Sequence, residues 1–533
     1  MNRLDYFVVG LYLFGLLLFG FALRKQSSDS DYFLGGRSIG WFPLTLSTMA
    51  TQLSAISFVS APAFVGLRED GGLKWLTYEL AMPLAMILVM FVIAPALYRA
   101  GVVSIYSFLE RRFDRTTRLL VSAAFQVVRA FSTGIMVYAM GLILQAVLDF
   151  PLWQSIVFVG LITLVYSTTG GMKAVVYGDA VQMGLIFFGL LVVGAYALGE
   201  VGGWSMFWQH VDARRFTTLD YDAIGFDSDP FGFWPMLFGG IVLYASYYGC
   251  DQTQAQRLMS ARSPADTRRL LFADGALRFP LVLLYCLVGL LVGVVVTSNP
   301  ELMSAIPGDR PDYMMPVFII NVLPHGVIGL LLVAIMAAAM SSLSSAINSL
   351  AAVTLEDLES LGLAPRSKQS EVTWARIVSL SWGVVILVMS TYAGSIAPTV
   401  IEAINKVGSA MYGPVLAVFL LGIVGPRVTG RGASVGLLAG LGVNVYLWRA
   451  QPQVFWMWWN VIGFTVTCTI ALATRTRRVR RAPADNERPR SIVVQVMQSP
   501  YAWGLALIFV VTMTVATFVQ GAHTWFAQAA LAT

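Results

Sequence analysis

The sequence predicts an all-α membrane protein with about fourteen transmembrane helices. Hydrophobic residues make up 57% of the 533 positions, charged residues make up 12%, and the mean hydropathy is +0.72. Apolar windows of about 20 residues, long enough to cross the hydrocarbon core, recur from Leu4 to Gly521. Lys and Arg concentrate in alternate loops. These observations exclude a water-soluble enzyme.

The predicted spans follow one another with short connections over most of the chain. They cover residues 4–23, 41–64, 75–98, 119–149, 151–168, 177–198, 233–252, 270–297, 326–352, 375–394, 398–425, 432–449, 453–473 and 501–521. We divide the chain into an N-terminal anchor (1–24), a ten-helix core (41–425), and peripheral C-terminal helices (426–533) that include a basic linker at 474–499.

The distribution of basic residues predicts the orientation. Most lie in the loops that are cytoplasmic if the N-terminus is outside, including the arginines between Arg475 and Arg490. The positive-inside rule therefore places both termini outside, in a multi-pass protein of the cell (inner) membrane. The net charge of +6 is then a topological signal, so no nucleic-acid partner is expected.

Cysteine and histidine give no sign of a metal or catalytic centre. The three cysteines, Cys250, Cys286 and Cys468, fall inside apolar windows, where they behave as small hydrophobic residues. The histidines are far apart in sequence and close to predicted span ends. We therefore expect no enzyme activity and no resident metal.

Spans two to six and seven to eleven divide into two halves of five helices. An odd number of helices gives the two halves opposite orientations, as an inverted-repeat transporter requires. The first helix of each half should then be interrupted near the midplane. The two segments concerned, 41–64 and 233–252, are polar or contain Gly239-Gly240.

Several charged residues fall within predicted spans, where they usually face a cavity or a partner. Asp274 with Arg278, and Glu402 with Lys406, are spaced i, i+4, so each pair either neutralises itself or faces a cavity. Arg129 has no such neighbour. It needs a carboxylate from another helix or from a substrate.

A serine-rich stretch at 334–346 presents hydroxyl groups on consecutive turns. Ala338, Ser341 and Ser342 share one helix face, and Ser344 and Ser345 continue it. Such oxygens suit a hard monovalent cation, although small residues in membrane helices also serve close packing.

Five motifs together resemble the sodium:solute symporter family. They are residues 31–41 running into 50–57, the serine helix at 338–345, the stretch 167–175, the stretch 251–257, and residues 408–414. The similarity extends from residue 31 to about residue 430. It implies the inverted-repeat fold of the bacterial leucine transporter, with one helix before the core and three after it.

The resemblance also implies where one or two coupling sodium ions bind. The family's conserved site maps onto Ala50, Leu53, Ala338, Ser341 and Ser342. A second site, present in some members, maps onto Asp179, Ser341, Ser344 and Ser345.

Substrate residues are implied by the sugar-transporting and sialic-acid-transporting branches. The positions are Gln52, Ser54, Ser57, Glu79, Arg129, Tyr247, Arg278, Glu402 and Asn405. In the sialic-acid branch, an arginine at the position of Arg129 holds the substrate carboxylate. The sequence departs from the sugar-transporting branch at Lys406, because that branch carries an acidic residue in this stretch.

The sequence thus predicts sodium-coupled import of a small organic solute, a sugar or a sugar acid, by alternating access. A monocarboxylate or an amino acid is the alternative substrate. A transporter-like membrane sensor is a further alternative, which the short tail after Gly521 disfavours. The expected partners are sodium, the solute and the lipid bilayer, with no obligate protein partner.

Overall fold

The computed structural model describes residues 2–24, 29–53, 55–148, 150–227, 230–308, 310–363, 368–391, 399–424, 428–474 and 491–532. In these ranges the regular structure is helical, apart from a parallel bridge between Ile39 and Ala261. The predicted all-helical class is confirmed.

Seventeen helices are labelled here in chain order. They are α1 (Arg3–Ala22), α2 (Trp41–Gln52), α3 (Ala55–Gly66), α4 (Leu73–Ala100), α5 (Arg115–Leu148), α6 (Leu152–Thr168), α7 (Gly170–Val201), α8 (Phe233–Cys250), α9 (Gln252–Ser260), α10 (Pro264–Ser298), α11 (Met314–Val322), α12 (Val327–Ser360), α13 (Lys368–Ser390), α14 (Val400–Val424), α15 (Gly430–Ala450), α16 (Trp456–Ala473) and α17 (Pro500–Ala532). Shorter helices cover Asp29–Leu34, Tyr106–Arg112, Trp204–His210, Pro300–Ser304 and Ile492–Met497.

Every predicted span coincides with a helix in the described ranges. Ten of these helices are long and apolar enough to cross a bilayer, and the bent pair α2 and α3 makes an eleventh span. Helices α6, α8 and α15 fall outside the same length and hydropathy limits. The chain is a multi-pass membrane protein, and the total of fourteen crossings stays a prediction.

Helix α12 lies at the centre of the bundle. Its side chains are buried without interruption from Leu331 to Val353, because α5 and α7 pack against it. By contrast, α1 and α17 carry many exposed apolar side chains, such as Phe7 and Leu507. A helix that is apolar and exposed on most of its surface is expected at the lipid boundary.

Helices α3 and α10 approach each other at backbone distance. A Cβ atom added at Gly289 would lie 2.7 Å from the Cα atom of Pro62, and one added at Gly293 would lie 2.6 Å from the carbonyl oxygen of Gly66. Small residues are the usual means of such close packing in membranes.

Two spans are broken, one in each predicted half. Helices α2 and α3 meet at an angle of 55° after Leu53, whose φ of −83° and ψ of 81° end the first segment. Helix α8 ends at Cys250, and Asp251, in an extended conformation, starts α9. The second break is therefore not at Gly239-Gly240. Both glycines stay helical and pack closely, Gly239 against Met457 and Gly240 against Ala81.

A buried carboxylate joins three segments on the predicted outer side. The Asp312 carboxylate accepts a hydrogen bond from the backbone N–H of Val400, at 3.1 Å, and another from the Ser60 hydroxyl. The Ser60 hydroxyl oxygen in turn accepts the N–H of Ile401, at 3.1 Å. The first turn of α14 is therefore capped by α3 and by the loop before α11. Burial raises the pKa of Asp312 to about 6.

This raised pKa predicts a pH-dependent contribution to stability. The folded chain holds the Asp312 proton more tightly than an unfolded chain, whose pKa is 3.8, so the contribution is complete below pH 3.8 and is lost as the pH rises through 6. The melting temperature of the wild type minus that of Asp312→Asn should therefore increase as the pH is lowered from 7 to 5. Asp222→Asn, at an exposed loop position, is the control. A constant difference across this range would contradict the assignment.

Candidate functional site: an oxygen cluster, an ion pair and a central cavity

A cluster of neutral oxygens forms where α12 passes the break between α2 and α3. The Ser341 hydroxyl contacts the carbonyl oxygens of Ala50, at 3.2 Å, and Ala338, at 2.9 Å. The Ser342 hydroxyl contacts the carbonyl oxygens of Thr51, at 3.1 Å, and Ala338, at 3.3 Å. All five residues are buried. Four of the five residues predicted for the conserved sodium site are thus brought together.

The backbone break explains why these carbonyls are available. The last turn of a helix leaves its C=O groups without intrahelical partners, and inside a membrane they must be satisfied by other groups. Here serine hydroxyls take that role. A hydroxyl oxygen can also turn its lone pairs toward a cation, so this cluster suits Na⁺, which prefers oxygen ligands.

The sequence prediction for this site includes Leu53 and does not include Thr51. Leu53 lies at the break, and its N–H bonds the carbonyl of Met49 at 2.9 Å, but the serine hydroxyls reach the Thr51 carbonyl instead. The family pattern assigns ligands by position. It cannot say which carbonyl of a terminal turn faces the neighbouring helix.

The residues predicted for a second sodium ion surround an arginine. The Nη2 atom of Arg257 lies 2.8 Å from Oδ2 of Asp179 and 2.5 Å from the Ser345 hydroxyl. Its Nε atom donates to the Ser47 hydroxyl at 2.8 Å, and that hydroxyl donates to Asp179 at 2.6 Å. Arg257 is 1% exposed and Asp179 is fully buried, so a complete ion pair lies inside the protein.

The second predicted site is therefore only partly assembled. Asp179 and Ser345 face each other at 3.4 Å, whereas the Ser344 hydroxyl donates to the carbonyl oxygen of Ser341 at 3.0 Å. Asp179 lies well inside α7, because this helix begins before the predicted start of the span at residue 177. No site role was predicted for Arg257, which follows the predicted span 233–252 and was expected in the loop after it.

A central cavity of about 80 Å³ lies between the two broken spans and α14. Six residues predicted to bind substrate line it: Gln52, Ser57, Arg129, Tyr247, Arg278 and Asn405. The sequence reasoning missed other lining residues, namely Ile56, Trp75, Tyr78, Ser132, Met136, Leu243, Tyr285, Ile401, Ile404 and Tyr412. Ser132 was detectable, because it follows Arg129 by three residues on the same helix face. Ser54 lies outside the described residues.

Arg129 finds its carboxylate on another helix. Its Nη2 atom pairs with Asp251, and both side chains are buried. The same Asp251 carboxylate caps α9 by accepting the N–H of Thr253 at 2.8 Å. The guanidinium also lies over the ring of Tyr247, 5.4 Å from its centroid.

Glu79 lies behind the cavity wall. Its carboxylate accepts hydrogen bonds from Arg278, at 3.0 and 3.3 Å, and from the Tyr244 hydroxyl, at 2.7 Å, and it is fully buried. Of the two alternatives for Asp274 and Arg278, pairing with each other does not occur, since Arg278 binds Glu79 instead. Glu79 holds Arg278 at the cavity and does not line it.

Glu402 does not line the central cavity either. Its carboxylate pairs with Arg68, at 2.8 and 3.2 Å, and accepts the Thr399 hydroxyl at 2.7 Å. The alternative pairing of Glu402 with Lys406 is therefore also wrong. The Arg68–Glu402 pair joins the outer ends of two helices that bound the central cavity.

Three polar groups at the cavity have no hydrogen-bond partner within the described part of the chain. They are Nε of Arg129, Nη1 of Arg278 and the hydroxyl of Ser132. Guanidinium N–H groups can only donate, so a solute rich in acceptor oxygens would complete the site. A cavity of this kind, beside an oxygen cluster and between broken helices, is typical of a secondary transporter.

Comparison with known proteins identifies which transporter class this is. The profile of the sodium:solute symporter family matches residues 32–440, so the chain belongs to that family. Sodium is the coupling ion of this family, whose members are transporters.

Two relatives and two solved structures illustrate the similarity. The human sodium/iodide cotransporter is 31% identical over 439 residues, which cover 80% of this chain and 66% of the relative. The Xenopus laevis sodium-coupled monocarboxylate transporter 1 is 29% identical over 446 residues, with 83% and 69% covered. The chain thus spans about two thirds of the length of these relatives.

In fold, the chain is similar to a Na⁺-coupled sialic acid symporter, with a TM-score of 0.77, 23% identity, and coverage of 89% of this chain and 98% of the other. A nucleobase-cation-symport-1 family transporter in a closed conformation gives a TM-score of 0.54 at 12% identity, with 85% and 94% covered. Both likenesses concern the fold.

The oxygen cluster gives a direct test of sodium binding. Ser342→Ala removes one hydroxyl from the cluster, so the purified protein should lose most of its stabilisation by Na⁺ relative to choline, and sodium-driven uptake should be abolished. Ser349→Ala is the matched control, because Ser349 lies on the same helix and bonds Gln256 at 2.9 Å, outside the cluster. Unchanged sodium dependence in Ser342→Ala would rule out the assignment.

Proposed function

We propose that this chain imports a small organic acid of the monocarboxylate class together with sodium. The observation that carries the proposal is the pair of guanidinium groups at the central cavity, each with a buried N–H that has no partner in the described residues. Apolar and aromatic side chains form much of the remaining wall. A carboxylate with a short apolar body matches this combination of donors and surface.

The size of the cavity supports a small solute. Its volume of about 80 Å³ is well below the roughly 300 Å³ at which sites for drug-sized ligands begin. Relatives at about 30% identity are named for iodide and for monocarboxylates, both of which are anions. A sugar acid is the second candidate, since Gln52, Ser57, Ser132 and Asn405 could also bond hydroxyl groups.

The charge balance at the cavity explains how an anion could be bound and released. Arg129 and Arg278 are already neutralised by Asp251 and Glu79. A substrate carboxylate therefore has to share each guanidinium with the protein carboxylate already bound to it. This sharing limits the binding energy of the substrate. Substrate binding at Arg129 also affects the junction between α8 and α9, because Asp251 both pairs with Arg129 and caps α9.

The orientation and location follow the sequence prediction. Both termini lie outside, in the cell membrane, and sodium and substrate enter from that side. Under this orientation the Arg68–Glu402 pair and Asp312 belong to the outer side of the bundle, and Arg257 belongs to the inner side.

Uptake assays with a charge-neutral double variant test the substrate class. In proteoliposomes with an inward sodium gradient, the wild type should accumulate propionate or pyruvate in preference to glucose, sialic acid and alanine. Arg129→Gln combined with Asp251→Asn removes both charges, so no buried charge is left alone, and kcat/KM for the acid should fall about 100-fold. Retained stabilisation by Na⁺ would show that the double variant is folded.

Uptake of sialic acid alone would favour the second candidate. Accumulation of glucose or alanine, with no acid transported, would contradict the proposal.

We also propose that Arg257 occupies the second sodium position as a tethered cation. Its guanidinium contacts the carboxylate and the hydroxyl that a second Na⁺ would need, Asp179 and Ser345. The positive charge of Arg257 neutralises the buried carboxylate of Asp179. A Na⁺ ion can bind at the same position only by displacing the arginine. On this proposal, one sodium ion binds, at the neutral oxygen cluster.

Removing this arginine should expose the second position. Equilibrium binding of radiolabelled Na⁺ to purified protein should give one ion for the wild type and for Arg257→Lys, but two for Arg257→Gln. Adding Asp179→Asn to Arg257→Gln should restore one. A single ion in Arg257→Gln, in protein whose melting is still raised by Na⁺, would refute the tethered-cation proposal.

A further inference from the structure

A second cavity, of about 200 Å³, lies on the predicted outer side between α14, the start of α16 and the segment before α8. It shares no lining residue with the central cavity. Helix α14 contributes to both, because Ile401 and Asn405 face the central cavity whereas Glu402 and Lys406 face the outer one. The two cavities therefore lie on neighbouring faces of one helix.

Among the residues that the structure describes, the wall of the outer cavity carries one positive charge without an ion-pair partner. The Glu402 carboxylate is neutralised by Arg68 at 2.8 Å. Lys406 lies one helical turn further in and forms no ion pair with any carboxylate in the described ranges. Its ammonium group lies 5.7 Å and 5.8 Å from the ring centroids of Trp448 and Trp459, in cation–π contact with both rings.

The charge lies next to an apolar, aromatic surface. Phe231, Phe455, Trp456 and Trp459 line the cavity, and the rings of Phe231 and Phe455 are 5.1 Å apart in an edge-to-face arrangement. Half-burial of Lys406 strengthens its interaction with an anion, since fewer waters screen it. A ligand with a single negative charge and a compact apolar part matches both features.

We propose that this outer cavity is a second binding site for a small monocarboxylate, with Lys406 pairing its carboxylate. The inference rests on the proposed function, because the ligand is the transported acid on its way to the central cavity. Glu402 lies one turn from Lys406 and binds Arg68. Arg68 follows α3, and α3 lines the central cavity through Ile56 and Ser57. Binding at Lys406 is thus placed beside the ion pair that joins α3 to α14.

Equilibrium binding of radiolabelled propionate to the full chain in lipid nanodiscs tests the site. The wild type should bind two propionates, and Lys406→Gln or Lys406→Met should bind one. The Arg129→Gln and Asp251→Asn double variant should also bind one, at the outer cavity. Combining it with Lys406→Gln should abolish binding.

Uptake kinetics provide the second readout. In Lys406→Gln the KM for propionate should rise about tenfold with little change in kcat, because the variant loses capture of the anion rather than a step at the central cavity. Lys406→Arg should keep the wild-type KM. Lys74→Gln is the control for removing an outer positive charge, since Lys74 pairs with Asp220 at 3.4 Å and lines neither cavity.

The outcomes separate the two proposals. One propionate in the wild type, retained in Lys406→Gln and lost in the central double variant, overturns the outer site and leaves the proposed function standing. No propionate bound by the wild type overturns the proposed function and the outer site with it. An unchanged stoichiometry and KM in Lys406→Gln and Lys406→Met also overturns the outer site.

Discussion

Broken backbone inside a bilayer is the constraint on which the rest of this structure depends. Each break leaves carbonyl and amide groups that lipid cannot satisfy. At the first break the carbonyls of Ala50 and Thr51 are met by Ser341 and Ser342 on the central helix. At the second, the Asp251 carboxylate caps the new helix and pairs with Arg129. The groups that repair the backbone therefore also form the oxygen cluster and hold Arg129 at the central cavity.

Much of this arrangement could be predicted from the sequence, for physical reasons. Apolar windows and the small, hydroxyl-bearing face of the serine helix are local patterns, so the helices and the Ala338–Ser342 surface followed from spacing alone. Pairings between helices did not. Arg278 binds Glu79 rather than Asp274, and Arg68 rather than Lys406 takes Glu402, because a partner on a neighbouring helix is decided by packing that i, i+4 spacing cannot describe.

The second break shows the same limit. Gly239-Gly240 suggested an interruption by composition, yet both glycines serve close helix packing and the chain leaves the helix at Asp251. Glycine in a membrane helix can mark an interruption or allow close helix packing, and only the surface that contacts the glycine distinguishes the two. Arg257 was overlooked for a related reason. Positive residues near span ends usually mark the cytoplasmic side, and nothing local indicates that one of them folds back into the bundle.

The Arg257–Asp179 pair also has an energetic meaning for accumulation. An arginine is fixed to the chain and cannot be released, so the charge beside Asp179 does not leave with the cargo. One sodium ion moving with a monocarboxylate carries no net charge, and the sodium concentration ratio alone then sets the limit of uptake. If a second ion displaces the arginine, each cycle moves one positive charge inward, and the membrane potential adds about 2.3 kcal/mol per 100 mV. Under the tethered-cation proposal, the side chain at position 257 decides whether the voltage across the membrane contributes to the work of transport.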